Sequence, residues 1–178
     1  MIRYFSYILI SVWILSVPIG AEMITTMYSY TFKYDVEYNK KIEKSKVGRA
    51  SLRVNATETV ESKIPLLYDT ITYASPYQVY LNIYSKSKNI TIKKAFILID
   101  GKERVELNRA LTFNYQDEDY FRFETQSQSI DFDVDSIHYI EAIIELDIEG
   151  NLVYNKERYI LEYKKETGNR LWWAMMSV

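Results

Sequence analysis

Residues 28–38 read Tyr-Ser-Tyr-Thr-Phe-Lys-Tyr-Asp-Val-Glu-Tyr, and this alternation decides the fold class. Tyr28, Tyr30, Phe32, Tyr34, Val36 and Tyr38 fall on one face of an extended chain, while Ser29, Thr31, Lys33, Asp35 and Glu37 fall on the other. Strand side chains point alternately to the two sides of a sheet, so period-two patterning predicts a long strand with one buried face.

The same pattern recurs outward from this segment. After the charged stretch Asn39 to Lys46, a second strand is predicted over Val47–Thr59, and a third over Leu66–Ala74. Pro76 opens the next, where a missing N–H costs least. There Tyr77, Val79, Leu81 and Ile83 alternate with Gln78, Tyr80, Asn82 and Tyr84. Ile90–Ile99 ends in the unbroken apolar run Ala95 to Ile99, the candidate central strand with both faces covered. Asp100-Gly101 and Glu149-Gly150-Asn151 are hairpin signals, since the tight turns that join twisted strands require positive φ. They predict returning strands over Glu103–Tyr115 and Leu152–Lys164. Shorter strands are predicted at Tyr120–Glu124, Ile130–Asp135 and Ile137–Ile148. Eight to ten strands with closely spaced turns predict an all-β fold: a single antiparallel β-sandwich of Ig-like architecture.

Residues 1–21, MIRYFSYILISVWILSVPIGA, carry one charge, at Arg3, then an apolar run from Tyr4 to Val17, then Pro18, Gly20 and Ala21. That order of regions predicts a secretory signal peptide cleaved after Ala21, leaving one β-sandwich domain over residues 22–178. The apolar run is short for a membrane span, which takes about 20 residues. A secreted or periplasmic location in the cell envelope is the expectation.

Composition excludes much chemistry. The chain has 178 residues, no cysteine and one histidine, so a disulfide scaffold, a thiolate metal site and a cysteine nucleophile are ruled out. The formal net charge of −2 argues against nonspecific nucleic-acid binding, which needs a basic footprint to displace phosphate counterions. Charge is uneven, however. Residues 22–104 carry 14 basic and 9 acidic side chains, whereas residues 105–178 carry 7 and 15. The basic side chains concentrate at Lys40, Lys41, Lys44, Lys46 and Arg49, which reads as one hairpin tip. If the halves sit apart, the molecule is a dipole able to steer a partner; if their strands interleave, the asymmetry averages away.

Three groups invite a chemical reading. Asp131, Asp133 and Asp135 have the spacing of calcium ligands, but the EF-hand loop would need glycine where Ser136 stands and glutamate where Ala142 stands. Their alternation with Ile130, Phe132 and Val134 suits the hydrated face of a strand. His138, the lone imidazole, has neither a nucleophile motif nor an orienting partner in view. No metal site, cofactor or catalytic residue is assigned, and the chain reads as a non-enzyme. A pair of acids for glycoside hydrolysis is available among 24 carboxylates, which makes that idea unspecific.

Candidate binding residues come from the aromatics. Tyrosine, present 17 times, first reflects β-propensity, since its ring fits a pleated, half-buried surface. Gln78, Tyr80, Asn82 and Tyr84 nevertheless share one strand face, and such a face could serve as a shallow recognition surface. The end of the chain, Leu171-Trp172-Trp173-Ala174-Met175-Met176-Ser177-Val178, is apolar where chain ends are usually polar. Trp172 and Trp173 therefore join the candidates, either as a docked final strand or as a contact for a partner or a membrane. The expected function is a secreted or periplasmic non-catalytic binding module, with a protein partner in a cell-envelope assembly. Membrane contact would run through the tail or an uncleaved leader. The alternatives are a small outer-membrane β-barrel and a carbohydrate-binding module or glycosidase.

Overall fold

The structure is a computed structural model that describes residues 24–40, 45–64, 68–116 and 119–169. The leader, the 41–44 part of the basic cluster and the tail with Trp172 and Trp173 lie outside the described residues. The elements are β1 (Ile24–Tyr34), a single helical turn α1 (Val36–Asn39), β2 (Gly48–Ile64), β3 (Tyr68–Ser85), β4 (Ile90–Ile99), β5 (Glu103–Glu106), β6 (Leu111–Gln116), β7 (Phe121–Thr125), β8 (Gln128–Ile130), β9 (Tyr139–Ile148) and β10 (Asn151–Asn169). The fold is all-β, as the alternation predicts, with ten strands in one hydrogen-bonded sheet of order β5-β4-β9-β10-β1-β3-β7-β6; β2 and β8 also pair with β3. Among the described residues no helix is long and apolar enough to cross a membrane.

The sheet is mixed, not purely antiparallel as the closely spaced turns predict. Thr25 to Ser29 of β1 pair in parallel with Asp69 to Tyr73 of β3. Parallel partners need a long crossover, and here the intervening chain with β2 supplies it. β3 is one strand where two were expected, and its ladder changes partner at the proline. Up to Tyr73 it pairs with β1, at Tyr77 to Val79 with β8, and at Asn82 to Ser85 with β7. Pro76 falls in the gap, where an absent N–H breaks no rung of these ladders.

Other boundaries also move. β1 stops at Tyr34, because the Asp35 Oδ1 accepts the Tyr38 N–H at 3.0 Å and caps α1. The buried Asn39 then stands in for a neighbouring strand: its Nδ2 donates to the Arg158 carbonyl and its Oδ1 accepts the Arg158 N–H, both at 2.9 Å. The expected strand Glu103–Tyr115 divides into β5 and β6, which lie at opposite ends of the strand order. β4 is one strand in from the β5 edge rather than central. Arg49 belongs to β2 and not to a hairpin tip. Residues 131–138 form a loop rather than a strand, although Phe132 still points inward, 2% exposed. Both glycine hairpins form, with positive φ at Asp100 and Gly101 and at Glu149 and Gly150.

The chain divides into two compact units. Among the described residues, the first holds 24–29, 58–64, 68–73 and 163–169. Its described part is the β1–β3 parallel ladder with buried Thr25, Thr26, Thr70 and Ile71, and the Thr26 and Thr167 hydroxyls lie 3.3 Å apart.

The second unit, residues 30–57 and 74–162, carries the apolar core. Tyr77, Val79, Leu81 and Ile83 from β3 meet Ala142, Ile144, Leu146 and Ile148 from β9, all at most 1% exposed. The acidic second half of the sequence interleaves with the basic first half here. Lys93 pairs with Asp147 at 3.2 Å and Lys94 with Glu145 at 2.7 Å across β4 and β9. The charge asymmetry is thus partly cancelled within the sheet.

β2 is held in this unit by side chains of β10. The Asn155 Nδ2 donates to the Ala50 carbonyl at 3.2 Å, and the Glu157 carboxylate accepts the Leu52 N–H at 3.3 Å. The buried Tyr159 hydroxyl sits 2.9 Å from the Leu52 carbonyl and 2.6 Å from Glu157 Oε2. Burial, reinforced by Glu157, pushes the Tyr159 hydroxyl far above its ordinary value. Tyr159→Phe removes this donor and leaves the acceptors unmet, so chemical denaturation should show a loss of about 1–3 kcal/mol.

Candidate binding face

On β3 the even-numbered side chains from Gln78 to Tyr84 face away from the core filled by Tyr77, Val79, Leu81 and Ile83. The four candidates Gln78, Tyr80, Asn82 and Tyr84 therefore do share one face. Sequence reading missed the arginines that neighbouring strands bring to it.

Tyr84 is register partner of Arg122 on β7, and Arg122 is register partner of Tyr115 on β6. The Arg122 guanidinium lies 5.6 Å from the Tyr84 ring centre and 5.3 Å from that of Tyr115. From β2, the Arg49 guanidinium covers the other side of the row, 4.8 Å from the Tyr84 ring. Cation and ring thus alternate across four strands as Arg49, Tyr84, Arg122 and Tyr115. Each guanidinium gains from the negative face of the ring beside it.

Arg122 is fixed in this row. It donates to the Tyr115 hydroxyl at 3.0 Å and pairs with Glu124 at 3.3 Å. Its Nε is shielded from solvent and has no hydrogen-bond partner among the described residues. Asn82, 1% exposed, is the hub beneath. With its amide nitrogen donating to Glu124 at 2.7 Å, its oxygen accepts from the Arg53 Nε at 3.1 Å. Gln78 accepts from the Ser127 hydroxyl at 3.0 Å, and Tyr80 is half-buried.

Beside Tyr84 the face dips into a cavity of about 310 Å³. Arg49, Ala50, Ser51 and Arg53 of β2 form one wall, and Asn155, Lys156 and Glu157 of β10 another. Tyr34, Asn39 and Tyr84 complete the lining. Its charges differ in how they are committed. Lys156 pairs with the buried Glu141 at 3.2 Å, and Arg158 pairs with the same carboxylate at 2.7 Å. Desolvation opposes ionisation of Glu141, but these two cations outweigh it and hold the carboxyl below the usual range. Glu157 is engaged by the Leu52 N–H and the Tyr159 hydroxyl. Arg49 and Arg53 have no carboxylate within ion-pair distance among the described residues.

The remaining candidates separate from this face. His138 is exposed, and Asp100, 3.5 Å from its Nδ1, accepts the backbone N–H groups of His138 and Tyr139 at 3.0–3.3 Å. Desolvation works against ionisation of Asp100, but those hydrogen bonds hold its carboxyl low, so it serves as a turn clamp. Asp131 bonds the Ser75 hydroxyl, and Asp133 accepts the Asp135 N–H at 3.4 Å. Among the described residues no group of three or more acids and histidines is arranged to hold a metal.

The face was partly visible in sequence. Arg49, Ser51 and Arg53 alternate with Ala50 and Leu52, and Arg122 sits between Phe121 and Phe123. These are strand arginines opposite buried apolar residues. Compared with protein-family models, curated proteins and solved structures, the chain matches none.

Proposed function

We propose that this chain is an exported, non-catalytic binding module, secreted or periplasmic, whose protein partner docks on the Arg49–Tyr84–Arg122–Tyr115 row. One observation carries this reading: two arginines and two tyrosines from four strands stack in one row on the side away from the core, with Tyr84, Arg122 and Tyr115 in register and Arg49 over the Tyr84 ring. Arginine and tyrosine are the residue types over-represented at protein interfaces and among their energetic hot spots. Arg122, held by the Tyr115 hydroxyl and Glu124, loses little side-chain entropy on binding. The leader-like residues 1–21 support export. Trp172 and Trp173 remain a second candidate contact on the same partner.

The inward apolar core favours this reading over an outer-membrane barrel, whose strands turn their apolar side chains outward to lipid. A carbohydrate-binding module would instead give saturable binding on a glycan array.

The exposed members of the row provide the test. Arg49→Ala combined with Tyr115→Ala should weaken capture of the partner from an envelope extract by roughly thirtyfold, the effect of losing about 2 kcal/mol at a hot spot. Tyr154→Ala, an exposed tyrosine of β10 outside the row, is the control. Equal capture by both variants would defeat the proposal.

A further inference from the structure

We infer that the cavity beside Tyr84 is an anchor pocket for the carboxylate of an acidic peptide segment in the partner; this rests on the binding-module reading and adds the chemistry of what is bound. The cavity, about 310 Å³, lies at the small end of the range for ligand sites. That suits one or two side chains better than a large cofactor.

Its charge is the argument. Three cations, Arg49, Arg53 and Lys156, line it against one carboxylate, Glu157; Lys156 is answered by Glu141 outside the lining, and Glu157 accepts the Leu52 N–H and the Tyr159 hydroxyl but keeps its charge, so the lining stays net positive. Arg49 and Arg53 have no carboxylate partner among the described residues. They sit four apart on one strand face with Ser51 between them. Their positions are braced: Arg49 lies over the Tyr84 ring at 4.8 Å, and the Arg53 Nε donates to the buried Asn82 at 3.1 Å. Bracing a guanidinium through its Nε leaves its terminal nitrogens for a ligand, and that fork matches a carboxylate in bidentate fashion.

The chain as a whole carries a formal net charge of −2, so an acidic segment gains nothing from overall attraction. Any affinity for one must come from a local cationic site. The tyrosine rings of Tyr34 and Tyr84 flank the pocket and can cover the methylene stem of a glutamate or aspartate side chain.

The experiment is a titration of the folded chain with a hexaglutamate peptide at low salt, followed by calorimetry, with hexaglutamine and inorganic phosphate as parallel probes. The inference predicts saturable hexaglutamate binding and no response to hexaglutamine. Arg53→Gln and, separately, Arg49→Gln should each weaken it at least tenfold, and binding should fall as sodium chloride rises from 50 to about 200 mM, where screening closes to within about 8 Å. Arg53→Gln keeps a donor for Asn82, and its circular dichroism and melting temperature verify the fold.

Absence of hexaglutamate binding overturns the inference. So does binding that both glutamine variants retain, which would place the site elsewhere. Phosphate binding as tightly as hexaglutamate would overturn it in favour of a free-anion site, and self-association abolished by Arg53→Gln would overturn it in favour of a second copy of this chain. If Arg53→Gln still captures the protein partner at full strength while the Arg49/Tyr115 double variant does not, the pocket inference falls and the binding-module reading stands. If both variants capture fully, the binding-module reading itself falls.

Discussion

Gly48→Ala should destabilise the protein by about 3 kcal/mol, the upper range for forcing atoms into a packed interior. A Cβ at this position would stand 2.5 Å from Ile148 Cδ1 and 2.8 Å from the Tyr84 carbonyl oxygen. Neither neighbour can yield easily. Ile148 is fully buried, and the carbonyl belongs to the backbone of β3. For a domain of this size, that loss corresponds to a fall in melting temperature of roughly 6–12 °C.

The two clashes can be separated. Ile148→Val deletes the Cδ1 methyl, so the double variant Gly48→Ala/Ile148→Val should recover part of the loss. The remainder measures the clash with the carbonyl. Additive losses in that cycle would show that the two positions are not in contact. Because Gly48 adjoins Arg49 and an added Cβ would press on the Tyr84 carbonyl, the substitution should also displace the Arg49–Tyr84 stack.

The second large effect is expected at Glu141. This carboxylate is 5% exposed and answered by Arg158 at 2.7 Å and Lys156 at 3.2 Å. Arg158 is in turn stacked 3.8 Å from the Tyr38 ring and 4.5 Å from that of Tyr139. Glu141 thus ties α1 to the outer side of β9 and β10. Glu141→Ala leaves two cations facing a void, and breaking a buried pair from one side costs about 3 kcal/mol. Glu141→Gln keeps the shape and loses only the charge, so it should cost less than Glu141→Ala.

The same group sets a pH dependence. Against the opposing desolvation, Arg158 and Lys156 hold its folded-state pKa below the ordinary glutamate value of 4.5, so its carboxylate stabilises the fold fully above that value. That contribution is lost as the pH falls from 4.5 through the lower folded-state value. Urea melts at pH 7 and at pH 3 should therefore differ by less in Glu141→Gln than in the unmutated chain. An equal difference would remove Glu141 from the account.

The alternation of Tyr77 to Tyr84 was legible because each strand face reports its own burial without reference to any partner. Gly101 and Gly150 were legible because positive φ is a local demand with a local signature. Strand neighbours were not legible. Nothing in Glu103 to Tyr115 signals that its two halves go to opposite ends of the sheet. Nor does Thr25 to Ser29 signal a parallel partner 44 residues later. Asp35 carried a helix-capping signal, but the alternation from Tyr28 to Tyr38 concealed it. The arginine–tyrosine row depended on the same unread pairing. Tyr84 could be placed on an outward face, but Arg122 and Tyr115 reach it only through the β3–β7 and β6–β7 registers.

Docking of a protein on the side of the sheet that carries Tyr84, as proposed, can be trapped by site-specific photocrosslinking in the source cells. A benzophenone amino acid is placed in turn at Tyr115, which is in the row, and at Tyr154, on β10 outside it. A discrete crosslinked protein is expected from position 115, weakened by Arg49→Ala and absent from position 154. Crosslinks from position 154 with none from position 115, or none from either, would contradict the proposed docking.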